Sequence, residues 1–234
     1  MLRILLVLPL IVASILVFGV LSLLFGVLDR TGRVCHSLAR TWSRLLLWGL
    51  GVNVRVQGAE EVPPGAAVFA ANHGSALDVL LLFGHLPANF RFIHKRSLYW
   101  IPMIGWTLWL AGHIGIDRTS PFRARRSLER AAARVHGGTS VAVFPEGTRS
   151  TDGTLRLFKR GSFVLAIEAG VPVVPVSLAG VKAVVPRGLA TLRPGTIRLR
   201  IHPAVPTSGR TTDTAEALAD EVRQVVASGL EAAA

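Results

Sequence analysis

The sequence predicts an α/β fold with a hydrophobic N-terminal appendage, and three features lead there. Beyond Gly51, short apolar runs punctuated by glycine and proline alternate with helical stretches. Residues 4–28 contain 25 positions without a charge. The apolar run 66–71 stops at Asn72-His73-Gly74-Ser75, and a second run, 77–83, follows with Asp78 inside it. The first run suits a buried strand and the second the start of a helix, with Ser75 or Asn72 as its N-cap.

Taken in order, residues 4–28 are long enough as a helix, roughly 37 Å, to cross a bilayer core. A signal peptide is the rival reading; the block is too long for one and no A-x-A site closes it. Arg30, Arg33, Arg40 and Arg44 follow it against Arg3 before it, which places the main body on the cytoplasmic side of the cell (inner) membrane. Residues 34–50 form an amphipathic helix with Trp42 and Trp48 suited to headgroups, so a helical hairpin dipping into one leaflet competes with a full crossing. Strands are predicted over 52–56, 66–71, 90–94, 113–117, 140–144, 171–176 and 197–201. The prolines of the 171–176 run argue for an edge or bulged strand. Ser120 and Pro121 start a helix over 121–136, with Arg123, Arg126, Arg130 and Arg134 on one face. After a Thr151–Thr154 turn, residues 162–169 are helical and Gly170 ends them. Thr212 or Asp213 caps a final amphipathic helix. Three stretches result: 1–50, membrane-anchoring helices; 51–210, the α/β domain; 211–234, an amphipathic helix and tail.

Charge narrows the partners. Against 14 acidic residues stand 26 Lys and Arg, a net +12, and mean hydropathy is +0.48. An anionic partner follows, and an anionic phospholipid membrane fits better than nucleic acid, whose aromatic and zinc-finger signatures are missing. A single cysteine, Cys35, excludes an intrachain disulfide. The seven histidines are scattered without H-E-x-x-H or cysteine clusters, so neither a metal nor an organic cofactor is expected.

Two loops carry chemistry. His73 and Asp78 offer an imidazole that takes a proton from a hydroxyl and a carboxylate that fixes its tautomer. No G-x-S-x-G elbow accompanies them. The pair therefore suits a base acting on a substrate's own hydroxyl; a helix-capping histidine is the plainer alternative. The second loop, Glu146-Gly147-Thr148-Arg149-Ser150 with Lys159 and Arg160 behind it, is a candidate anion cradle, and Arg118 ends another strand.

Four ordered blocks bind these features together: Asn72-His73-x₄-Asp78, Gly112-His-Ile-Gly-Ile-Asp-Arg118, Phe144-Pro-Glu-Gly-Thr-Arg149-Ser150 and Val171-Pro-Val-Val-Pro-Val176. Over residues 65–180 the chain resembles the glycerolipid acyltransferase family, in particular bacterial 1-acyl-glycerol-3-phosphate acyltransferases. The resemblance implies a mixed, largely parallel sheet flanked by helices, of the glycerol-3-phosphate acyltransferase type. It also implies O-acyl transfer to lysophosphatidic acid, giving phosphatidic acid for phospholipid biosynthesis, with acyl-CoA or acyl-carrier protein as co-substrate. By that resemblance His73 is the general base and Asp78 its orienting partner. Arg118, Glu146, Gly147, Thr148, Arg149 and Lys95 contact the substrate phosphate. Backbone N–H groups at Gly74 and Ser75 are the expected oxyanion donors. Gly115 departs from the pattern, standing where many members carry a bulky aromatic.

Three rivals remain at this point. One is acylation of another lyso-lipid, such as a lyso-ornithine lipid or lysocardiolipin. Another is a serine esterase or thioesterase hung on Gly138-x-Ser140-x-Ala142. The third is a non-catalytic basic membrane protein.

Overall fold

A computed structural model describes residues 2–29, 31–150, 153–186 and 191–231. Arg30 and the start of the Thr151–Thr154 turn lie outside them. The apolar runs become strands β1 (Val52–Gln57), β2 (Val68–Ala71), β3 (Phe90–Lys95), β4 (Ile114–Ile116), β5 (Ser140–Val143), β6 (Val173–Ala179) and β7 (Gly195–Ile201). They form one sheet in the order β1-β7-β6-β2-β5-β3-β4. Every pairing is parallel except β6 with β7. The five strands from β6 to β4 therefore run the same way and open their C-terminal ends on one edge.

Around the sheet the described residues form the α-helices α1 (Leu2–Gly26), α2 (Arg33–Gly49), α3 (Leu77–His85), α4 (Ile104–Leu110), α5 (Pro121–His136), α6 (Gly161–Ala169), α7 (Val181–Val184) and α8 (Ala215–Glu231), with short 3-10 turns between some of them. Side-chain alternation along β2 divides the core. Ala67, Phe69 and Ala71 join Leu47 of α2 and Leu77 and Leu81 of α3 on one face. Val68 and Ala70 join Val135 of α5, Phe163 of α6 and Leu218 of α8 on the other. A strand covered on both faces has no polar side to show, hence the uninterrupted apolar run. Leu47 and Leu50 of the N-terminal stretch and Leu218 of the C-terminal one belong to these same two layers.

Four expectations need correction. The 171–176 run opens an interior strand, β6, which is buried from Val173 to Ala179 between β7 and β2. Alternate residues of β6 face opposite neighbours: the Pro172 carbonyl accepts from Val68 N–H, while Val173 exchanges both bonds with Val205. Pro175 shares the parity of Val173, so its missing N–H falls on the β7 side, just past the last register pair, Val176 with Ile201. Its carbonyl still accepts from His202 N–H. Thr212 and Asp213 do not cap the last helix but lie in a 3-10 turn, Thr212–Thr214, that leads into α8, and Thr211 caps that turn in a reciprocal capping box with Thr214.

The third correction concerns the N-terminus. Among the described residues no helix is long and apolar enough to cross a membrane. α1 instead lies against α2 and α4, with Gly26 leaving room for Cys35 and Gly19 for Met103. Fourth, Arg40 and Arg44, counted as topology signals, are structural. Arg44 Nε donates to Gly84 O at 2.6 Å, and Arg40 Nη2 donates to Leu86 O and Ala88 O at 2.8 and 2.9 Å. They satisfy carbonyls that α3 leaves open at its end, and so dock α2 on α3.

The return of α8 onto the sheet depends on one close approach. Ser177 Oγ lies 2.7 Å from His202 Nε2 and donates to Val226 O at 2.8 Å, all beneath Gly229. A Cβ at Gly229 overlaps both polar groups. Gly229→Ala is expected to cost about 1–3 kcal/mol of stability by overpacking and to leave catalysis intact, as a denaturant titration with a parallel rate assay will show.

Candidate active site

The segment between β2 and α3 folds around one carboxylate. Asp78, wholly buried in the first turn of α3, accepts at Oδ2 from His73 Nδ1 (2.8 Å), Gly74 N–H (2.7 Å) and Ser75 N–H (2.8 Å). Of the two expected caps, Asn72 makes no contact with the helix start, whereas Ser75 Oγ accepts from Leu77 N–H, the first of α3, at 3.3 Å, and the aspartate reaches back to the turn. Asn72 instead pairs both ways with the backbone of Leu178, at 2.8 and 3.1 Å, extending the contact between β2 and β6. The two N–H groups expected to face an oxyanion are thus engaged by Asp78, and that assignment is withdrawn.

His73 is fixed from two sides. Its ring stacks on Phe144, centroids 4.0 Å apart and planes within 13°. With Nδ1–H donated to Asp78, Nε2 is left as the acceptor, and it has no hydrogen-bond partner among the described residues. The side chain is 16% exposed, so Nε2 can be reached. A neutral imidazole held this way takes a proton at Nε2, and the buried carboxylate stabilises the imidazolium that forms.

The loop after β5 locks onto the first. Ser150 N–H donates to His73 O at 2.8 Å. Glu146 Oε1 accepts from His73 N–H at 2.6 Å, and Oε2 from Arg156 N–H at 3.2 Å. Glu146 is therefore no phosphate contact: it is buried, with both oxygens turned inward, and a carboxylate repels phosphate. Burial pushes its pKa up, opposed by the two N–H donors and by the charges of His73 and Arg156. Gly147 takes a left-handed φ of 78°, and Lys159 lies over it where any side chain would stand. Thr148 Oγ1 accepts from Arg156 Nη1 at 3.1 Å. Sequence reasoning passed over Arg156; the signal was its place three residues before Lys159 in the same basic run.

The outward cations share this edge. Arg149 follows β5, Lys95 ends β3 and Arg118 follows β4; all three are exposed and without a protein partner among the described residues. Because β5, β3 and β4 all run parallel to β2 in the sheet, the cations and His73 open on one side of the molecule. Among the described residues no three His, Cys, Asp or Glu side chains gather to hold a metal.

The sequence model of the acyltransferase family matches residues 53–179, more than half of the chain. The chain belongs to this family. It is 41% identical over 180 residues to a 1-acyl-sn-glycerol-3-phosphate acyltransferase of Chlamydomonas reinhardtii, covering 76% of this chain and 53% of that one. To the human alpha 1-acyl-sn-glycerol-3-phosphate acyltransferase it is 39% identical over 175 residues, covering 74% and 62%. The chain thus spans between half and two thirds of these curated relatives. The crystal structure of the 1-acyl-sn-glycerophosphate acyltransferase of Thermotoga maritima superposes with a TM-score of 0.75 at 30% identity, covering 94% of both chains.

Within this acyltransferase, Gly115 has a local explanation. The Tyr99 ring fills the space a side chain at 115 needs, and its hydroxyl donates to His113 O at 2.6 Å and accepts from Gly115 N–H at 3.2 Å. The aromatic arrives from a neighbouring segment. The serine-hydrolase rival loses its hook: Ser140 begins β5, at the opposite edge from His73, and its hydroxyl accepts Ala67 N–H at 3.2 Å. Beside the turn that carries His73 lies an apolar cavity of about 440 Å³, bounded by α1, α2, α3 and α4 and reaching Ala76 and Leu77. Buried His113 lines it; burial holds its pKa well below the usual histidine range, so the wall stays uncharged.

Proposed function

We propose that this acyltransferase moves a fatty acyl group from an acyl thioester to the sn-2 hydroxyl of 1-acyl-glycerol-3-phosphate, giving phosphatidic acid. The observation that carries this reading is the open Nε2 of a histidine oriented by Asp78, on the same edge as three unpaired cations. His73 Nε2 takes the hydroxyl proton, and the oxygen attacks the thioester carbonyl. The C–S bond then breaks and the thiolate leaves with the proton that His73 holds. No acyl-enzyme forms in this reading, since among the described residues no nucleophilic side chain is hydrogen-bonded to Nε2. Arg149, Lys95 and Arg118 grip the acceptor phosphate above β5 and β3, with Gly147 and Thr148 shaping the loop beneath. The apolar cavity takes an acyl chain.

The protein works at a membrane surface in this reading. Leu16, Val17, Leu24 and Phe25 on α1 are exposed, as are Trp48 on α2 and Trp100, Trp106 and Trp109 around α4. Tryptophans beside bare aliphatic residues suit the headgroup boundary. The hairpin of α1 and α2 therefore lies in one leaflet and brings the cavity to the lipid.

Assay of lysophosphatidic acid with acyl-CoA and with acyl-carrier protein tests the reading, and absence of phosphatidic acid with both donors overturns it. Arg149→Ala is expected to raise KM for lysophosphatidic acid about tenfold or more, as loss of a charge-assisted phosphate contact does, with KM for the donor unchanged. A change confined to the donor contradicts the phosphate role.

A further inference from the structure

A second cationic pocket lies apart from the loop that follows β5. It sits between the turn after β3 and the first turns of α5, encloses about 230 Å³, and is lined by Arg96, Arg123, Arg126 and Arg130 with Asp117 and Phe122. Four guanidinium groups thus face a single carboxylate. Asp117 does not neutralise them: its Oδ1 accepts from the N–H and hydroxyl of Thr119, and its ion pairs to Arg96 and Arg123 are long, at 3.7 and 3.8 Å. The guanidinium of Arg126 has no partner among the described residues, and the acid that α5 does carry, Glu129, pairs with Arg125. Phe122 stands at the rim, 74% exposed, offering a bare ring beside the guanidinium planes.

We infer that this pocket binds the adenosine bisphosphate end of a coenzyme A thioester, and so receives the acyl donor. The inference rests on the acyl-transfer reading, which requires a thioester but assigns it no place. Several arginines around one concavity match a ligand bearing more than one phosphate, and an exposed aromatic ring matches a purine face. A lipid headgroup brings one phosphodiester and no ring, so it leaves most of these groups unused. Position agrees as well. α5 starts at the same sheet edge as His73, and β4 is three strand positions from β2, about 14 Å, a span that the pantetheine arm bridges.

Calorimetry with adenosine 3′,5′-bisphosphate tests the pocket without turnover. The full chain is expected to bind one equivalent, and the Arg126→Ala/Arg130→Ala double variant to bind it about tenfold or more weakly. Phe122→Ala is expected to weaken the bisphosphate while leaving inorganic diphosphate unchanged. In kinetics the double variant raises KM for acyl-CoA by the same factor, with kcat, KM for lysophosphatidic acid and KM for an acyl-pantetheine unchanged. Failure of the wild type to bind the bisphosphate overturns the proposal, as does equal binding by the double variant. It is likewise overturned if the double variant loses affinity only for phosphatidylglycerol vesicles or only for acyl-carrier protein. A chain that binds the bisphosphate through these arginines but forms no phosphatidic acid upholds the pocket and removes the acyl-transfer reading.

Discussion

His73→Ala lowers kcat for lysophosphatidic acid acylation by about 10²- to 10⁴-fold, the range that general-base catalysis contributes. The folded state survives, because the imidazole is partly exposed and its backbone carries the contacts that shape the turn. Its N–H still reaches Glu146 and its carbonyl still accepts from Ser150. Thermal melting and vesicle binding should therefore match the parent protein while product formation collapses. Near-parental turnover by this variant contradicts the assignment of the base.

Glu146→Ala produces a different loss. It strips the acceptor from His73 N–H and from Arg156 N–H together, at roughly 1–3 kcal/mol for each N–H left without a partner. With a melting shift of about 2–4 °C per kcal/mol for a chain of this size, the drop is easily measured. Catalysis falls through kcat, because the turn that aims His73 loosens; KM for the acceptor moves little, because the carboxylate never touches phosphate. A variant of unchanged stability whose defect is confined to acceptor KM would return Glu146 to the phosphate site. Linkage gives a second reading. The folded-state pKa lies above the ordinary 4.5, so between 4.5 and that raised value the folded chain binds more protons than the unfolded one. Stability drawn from this group is present at low pH and is lost as pH rises through the window. Glu146→Gln removes that slope.

The middle of the sheet was legible because β2 and β5 are buried on both faces. Val68 to Ala71 and Val141 to Val143 have no solvent side, so burial writes itself as an unbroken apolar run. The start of α5 was equally plain, since Ser120 and Pro121 mark it by backbone chemistry alone. Partners distant in sequence were hidden. Pro175 reads as an edge residue until Val205 and His202 show on which side its missing N–H falls. Arg40 and Arg44 read as membrane-topology charges until the carbonyls of α3 meet them some 40 residues away. Glu146 reads as part of a phosphate loop because residue type does not reveal which way a carboxylate turns; here it turns inward to His73, 73 residues earlier. The pairing of His73 with Asp78 was visible because its five-residue spacing is local, whereas Phe144, which stacks on the imidazole, comes from three strands later.

Intact-mass analysis of the protein, quenched milliseconds to seconds after mixing with acyl-CoA and no acceptor, bears most directly on direct transfer through His73. The unmodified mass should persist at every time, and addition of lysophosphatidic acid should release coenzyme A and phosphatidic acid in one phase. An acyl adduct that forms on the chain at the rate of turnover, and disappears when the acceptor arrives, would contradict it.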